Sequence, residues 1–141
     1  MNKSQLETTA QSLVADGKGL LAADESFPTI KKRFDSIGIE STEETRRAYR
    51  EMLLTTEGIE HYLSGVILFD ETIRQTDHFG TPLHEVLTRK GIIPGIKVDK
   101  GTKDLPNYPN EKVTEGLDGL RDRLAEYRDL GARFTKWRAA F

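Results

Sequence analysis

Two lysines stand where lysines are costly. Lys97 interrupts the apolar run IPGIKVDKG, and Lys136 interrupts ARFTKWRAAF. In extended chain, alternation puts Lys97 and Asp99 on one face with Ile96 and Val98 on the other, and it sets Lys136 and Arg138 against Thr135 and Trp137. An inward lysine in mid-run loses hydration unless a carboxylate or an anionic ligand balances it. Asp24, at the end of GLLAADES, and a bound phosphate are the most economical partners. Lysines crowded together also depress one another's pKa, which is how an amine becomes a nucleophile toward a carbonyl. The spacing therefore points to a phosphorylated carbonyl substrate and to Schiff-base or enolate chemistry. Taken singly, each of these charges is equally explained as a solvated loop anchor. Asp70 and Glu71, which close SGVILFDE, are read that way, as acids at a helix N-terminus.

Such residues need elements that bring distant positions together. Four apolar runs, each ending in ionisable groups, alternate with helical patterns. Leu6, Ala10, Leu13 and Val14 recur at helical spacing, so Ser4 to Ala15 reads as an amphipathic helix stopped by Gly17. GLLAADES then reads as a buried strand whose polar end opens onto a site. PTIKKRFDSIG is a short helix ending at Gly38, and Ser41 with Glu44 forms a capping box for the longer helix TEETRRAYREMLLTT. TPLHEVLTRKG has Pro82 in its first turn and Gly91 past its end. TKDLPNYPNEK reads as a loop, followed by a helix through LDGLRDRLAEYRDLG. The intervals are those of successive βα units, which implies a parallel sheet covered by helices. No glycine-rich phosphate fingerprint follows any strand, so a barrel is favoured over a doubly wound nucleotide fold. In such barrels the reacting groups sit at the carboxyl ends of the strands.

Composition narrows the partners. The 141 residues hold 21 basic and 23 acidic side chains and no cysteine. A net charge of −2 gives no basic field for nucleic acid or anionic lipid, which leaves a small molecule or a protein. Without thiolates, a metal would rest on His61, His78 and His84, which show no ligand spacing. Neither metal nor organic cofactor is expected. The N-terminus lacks a signal-peptide apolar run and VILF is far short of a membrane span, so the chain is read as cytoplasmic. No linker or repeat divides it, and residues 1–141 form a single domain.

GKGLLAADES, GVILFDET, GIKVDKG, TEGLDGLRDRLAEY and FTKWR together resemble, in order and spacing, the first half of a class I fructose-1,6-bisphosphate aldolase. The resemblance covers nearly the whole chain. It implies the N-terminal half of a (β/α)8 barrel, with about four parallel strands and an extra N-terminal helix. It also implies metal-free cleavage of fructose 1,6-bisphosphate to dihydroxyacetone phosphate and glyceraldehyde 3-phosphate through a lysine imine, by a tetrameric parent protein. Position by position, Asp24 resembles the carboxylate that orients the amine and handles protons at the C4 hydroxyl. Lys136 resembles the lysine that assists imine formation and stabilises developing negative charge. Lys97 resembles a C6-phosphate ligand with Arg138 nearby, Ser26 and Thr29 would add hydroxyls, and Arg33 and Arg46 resemble arginines at the substrate's other end. The sequence departs from the family at Phe27-Pro28-Thr29, where Thr-Gly-Ser is common, so the phosphate loop differs in detail.

The resemblance places the imine lysine on the sixth strand and the acid/base glutamate on the fifth. Neither has a position among these 141 residues, so this chain alone is expected to be an inactive N-terminal fragment. Two alternatives stay open: a non-catalytic half-barrel that binds phosphosugars or a protein, and a shortened enzyme that forms its imine on Lys136. The residues do not distinguish fructose 1,6-bisphosphate from fructose 1-phosphate.

Overall fold

A computed structural model describes residues 3–140. Met1, Asn2 and Phe141, the last residue of the run ARFTKWRAAF, lie outside the described residues. The frame is a four-stranded parallel sheet of β1 (Gly19–Ala23), β2 (Leu63–Leu68), β3 (Ile93–Lys97) and, after a short hairpin, β6 (Phe134–Lys136), paired in that order. Each strand thus lies beside the next strand of the sheet in sequence, as βα units dictate. No helix among the described residues is long and apolar enough to cross a membrane.

The helices are α1 (Lys3–Leu13), α2 (Phe27–Asp35), α3 (Glu43–Thr55), α4 (Asp70–Ile73), α5 (Leu83–Arg89) and α6 (Leu120–Asp129). Leu54 of α3, Leu83 and Leu87 of α5, and Val66, Leu68 and Ile96 of the sheet are each 0% exposed and form one core with Ile73, Ile92 and Tyr127. Burying a leucine or isoleucine side chain contributes about 1.5–3 kcal/mol, so this layer fixes the sheet against the helices. Gly95 of β3 has no side chain because the Phe134 ring of β6 lies over it, and a Cβ there would overlap the ring.

Five expectations change in detail. The capping box of α3 uses Thr42 and Thr45, not Ser41 and Glu44: the Thr45 N–H donates to Thr42 Oγ1 (3.1 Å) and the Thr42 N–H donates to Thr45 Oγ1 (2.9 Å). Glu44 is drawn off by Arg47, at 2.7 Å. The helix α2 stops at Asp35, where its last turn tightens and the Ile37 N–H donates back to Phe34 O (3.0 Å), so Gly38 lies beyond its end. α1 forms but buries no residue, with Leu6 and Val14 exposed, and β1 is covered only toward Ala23 because it is an edge strand paired with β2 alone. TKDLPNYPNEK is not a plain loop: with the two residues after it, it forms an antiparallel hairpin of β4 (Thr102–Asp104) and β5 (Lys112–Thr114). Its tip has Asn107 and Asn110 in the left-handed region, where asparagine is tolerated.

Candidate active site

Parallel pairing in register aligns the strand ends. Ala23 sits beside Leu68, Leu68 beside Ile96, and Lys97 beside Lys136. The next residues out of each strand therefore emerge together at one end of the sheet. Here a cavity of about 880 Å³ opens, lined by Asp24, Ser26, Thr29, Arg33, Lys97, Lys136 and Arg138 among others. Seven of the eight residues expected from sequence thus meet at one place. Arg46 does not line it: its guanidinium forks onto Glu71 at 2.6 and 2.8 Å and donates to Ser41 O, tying α3 to α4. Glu71 and Ser41 accept every hydrogen bond that the guanidinium donates, and it also lies over the Phe27 ring, 4.7 Å from the centroid.

Adjacent lysines repel, yet each of these has its own carboxylate. Lys136 Nζ donates to Asp24 Oδ2 at 2.6 Å, joining residues at opposite ends of the chain. Lys97 Nζ donates to Asp99 Oδ1 at 2.5 Å and to the Asp99 carbonyl at 2.8 Å. The Asp99 side chain is 0% exposed and also accepts the Gly101 N–H (3.1 Å) and, more weakly, the Arg138 N–H (3.4 Å). Burial alone would raise the Asp99 carboxyl, but the Lys97 ammonium and these two N–H groups outweigh it and hold the group below its ordinary range. On the far wall, the Tyr127 hydroxyl donates to Asp70 Oδ1 (2.9 Å), and its pKa is raised, by burial first and by Asp70 second. Ser26 and Thr29 hydroxyls share a hydrogen bond at 3.2 Å on the opposite rim.

The walls carry seven basic side chains against five acidic ones. That surplus suits a ligand with negative charge, and the hydroxyls of Ser26 and Thr29 suit its oxygens. Several contributors escaped the sequence reading. Glu25 is buried and ion-pairs with both Arg33 and Arg50. Arg123, from α6, donates to Val98 O (3.1 Å) and Gly116 O (2.5 Å), supporting the loop that carries Asp99. Alternation puts Asp99 on the Lys97 face but does not mark it as the partner of Lys97. The hairpin closes this side, since the Lys100 N–H donates to Glu115 O (2.8 Å) and Thr114 Oγ1 donates to Arg138 O (2.7 Å).

Comparison with known proteins places the chain in a family. A family model described as fructose-bisphosphate aldolase class-I matches residues 5–141. A Xanthomonas axonopodis pv. citri protein described as "Probable fructose-bisphosphate aldolase class 1" is 63% identical over 139 residues, covering 99% of this chain and 42% of that protein. Fructose-bisphosphate aldolase 1 of Toxoplasma gondii is 55% identical over 135 residues, covering 96% of this chain and 37% of its own length. Plasmodium falciparum fructose-bisphosphate aldolase, solved in complex with TRAP and a small molecule inhibitor, superposes with a TM-score of 0.94 at 54% identity, over 96% of this chain and 39% of that one. The chain therefore spans less than half the length of the relatives it matches. The matched fold is that of four neighbouring parallel strands in an aldolase barrel, and the chain belongs to the class I fructose-bisphosphate aldolase family.

Proposed function

We propose that residues 1–141 supply one phosphate-binding end and two catalytic groups of a fructose 1,6-bisphosphate aldolase. The observation that carries this is the register pair Lys97 and Lys136, each held on its own carboxylate at the mouth of a cation-rich cavity. In this reading Lys97 and Arg138 bind the C6 phosphate with help from the Ser26 and Thr29 hydroxyls. Asp24 orients the reacting amine and moves the proton of the C4 hydroxyl. Lys136, 2.6 Å from Asp24, stabilises the negative charge that develops at the carbonyl oxygen. Arg33 meets the substrate's other end. Arg46, committed to Glu71, acts only by fixing α3. The imine-forming lysine and the acid/base glutamate belong to the sixth and fifth strands of the longer protein, which is expected to be a metal-independent, tetrameric and cytoplasmic lyase. The four strands of the parallel sheet hold neither group and bind without turning over.

Calorimetric titration of the 141-residue chain with fructose 1,6-bisphosphate tests the proposal. One saturable site is expected, competed by inorganic phosphate. Lys97→Met should weaken it about tenfold or more, since a hydrogen bond to a charged group contributes about 1.5–3 kcal/mol. No saturable binding, or parent affinity in the folded Lys97→Met variant, overturns it.

A further inference from the structure

Among the described residues Arg50 is the largest fully buried side chain, 1% exposed, and it does not itself line the candidate cavity. A buried cation persists only where its donors are met. Arg50 Nη1 donates to Thr72 Oγ1 at 2.9 Å, while Nη2 donates to Glu25 Oε2 at 2.7 Å and to the Glu25 carbonyl at 3.1 Å. Nε is buried without a partner, so the guanidinium is placed for Glu25 and Thr72 at the expense of its own satisfaction. One end of this arginine therefore grips a single residue by both its side chain and its main chain.

That residue sits at the junction of the site. Glu25 lies between Asp24, bonded to Lys136, and Ser26, which precedes α2. Its second oxygen, Oε1, holds Arg33. We propose that Arg50 is a positioning residue for the phosphosugar site, gripping Glu25 so that Asp24 faces Lys136 and Arg33 keeps an unbalanced positive charge toward the cavity. The charge argument is direct. With Arg50 present, Glu25 is already neutralised, and the Arg33 charge remains available to an anion. Without Arg50, the same carboxylate belongs to Arg33 alone and cancels it. Lysine cannot substitute, because one ammonium does not reproduce the planar fork that reaches Thr72 together with Oε2 and the main-chain carbonyl of Glu25. The functional part of this proposal rests on the phosphosugar reading above.

The test uses the 141-residue chain as Arg50→Met, Arg50→Lys, Arg33→Met, the Arg33→Met/Arg50→Met double variant, and Thr72→Val. Without ligand, nitrogen-15 NMR reads the amides of residues 24–26 and the Arg33 Nε–Hε resonance. These should shift in Arg50→Met and Arg50→Lys but stay in place in Thr72→Val, which loses only the Thr72 contact. Unmoved resonances in a folded Arg50→Met variant overturn the proposal, whatever the ligand. With fructose 1,6-bisphosphate, Arg50→Met should lose about tenfold in affinity, the range of one charge-assisted contact. In the Arg33→Met background the same change should cost no more than about twofold, because coupled residues are not additive. Fully additive losses would mean that Arg50 acts only on general stability. If Arg50→Met does not fold, Arg50→Lys is read against the same outcomes. Absence of binding by the parent chain removes the phosphosugar reading and leaves the NMR result to decide the positioning role.

Discussion

Glu51 offers a stability test whose size follows from its contacts. The residue is buried on α3, with its side chain 11% exposed, and its carboxylate meets the His78 ring, the His78 N–H at 2.9 Å and Arg47 Nη1 at 2.6 Å. Burial by itself raises the carboxyl, but the hydrogen bonds from His78 and then Arg47 outweigh it and bring the pKa from 4.5 to about 2. At about 1.4 kcal/mol per unit, that difference is worth about 3 kcal/mol in a dry site. His78 is 60% exposed, so water screens part of it, and about 2 kcal/mol is the reasonable expectation. The folded-state pKa is depressed. The stabilisation is therefore fully present above the unfolded value near 4.5 and is lost as the pH falls through 2. Glu51→Gln keeps the shape and an acceptor for the His78 N–H while removing the charge. Urea unfolding of both proteins should show the variant less stable by about 2 kcal/mol at pH 7, nearly the same at pH 5, and by less than half of that at pH 3. Other carboxylates titrate in both proteins and cancel in the difference. A gap that stays constant from pH 7 to pH 3, or no gap at pH 7, refutes the argument.

Two further outcomes follow. Gly95→Ala puts a methyl group into the Phe134 ring, which should cost about 1–3 kcal/mol and lower the Tm by several degrees, and because Gly95 is paired with Phe134 two residues before Lys97 meets Lys136, the amide resonances near Lys136 should shift. An unchanged Tm would mean that β6 yields freely. Lys136, bonded to Asp24, is an electrostatic partner rather than a free amine, so borohydride treatment with dihydroxyacetone phosphate should leave the 141-residue chain without a stoichiometric adduct at a single lysine. Stoichiometric labelling at Lys136 would restore the possibility of a shortened imine enzyme.

Legibility in the sequence tracked how local the controlling physics is. Alternation along IPGIKVDKG is a local signal, and the structure puts Ile96 and Val98 in the core with Lys97 facing the cavity. Asp70 and Glu71 do open a helix, again a local preference. Partner choice is not local. The sequence offers Asp24 as a partner for either lysine, and only the folded sheet decides that Asp24 takes Lys136 while Lys97 turns to Asp99. Arg50 left one trace: it lies four residues before Leu54, on the face of α3 that is buried. In TRRAYREM it resembles its two solvated-looking neighbours, and only the position of Glu25 makes its burial tolerable. The hairpin was hidden for another reason. Its strands are three residues each, and Pro106 and Pro109 between them dominate the local pattern.

The Asp99 carboxylate, with its three donors from Lys97, Gly101 and Arg138, bears on how this sequence can drift. A strand end, the turn after it and the tail of another strand all take their measurements from one pair of oxygens. Glutamate would carry the same charge one methylene too far for all three, and asparagine would keep the reach while replacing one acceptor by a donor. No single second change repairs three broken distances at once. Variation at this position is thus penalised jointly, whereas Arg33 or Thr29, exposed and with fewer partners, can vary one contact at a time.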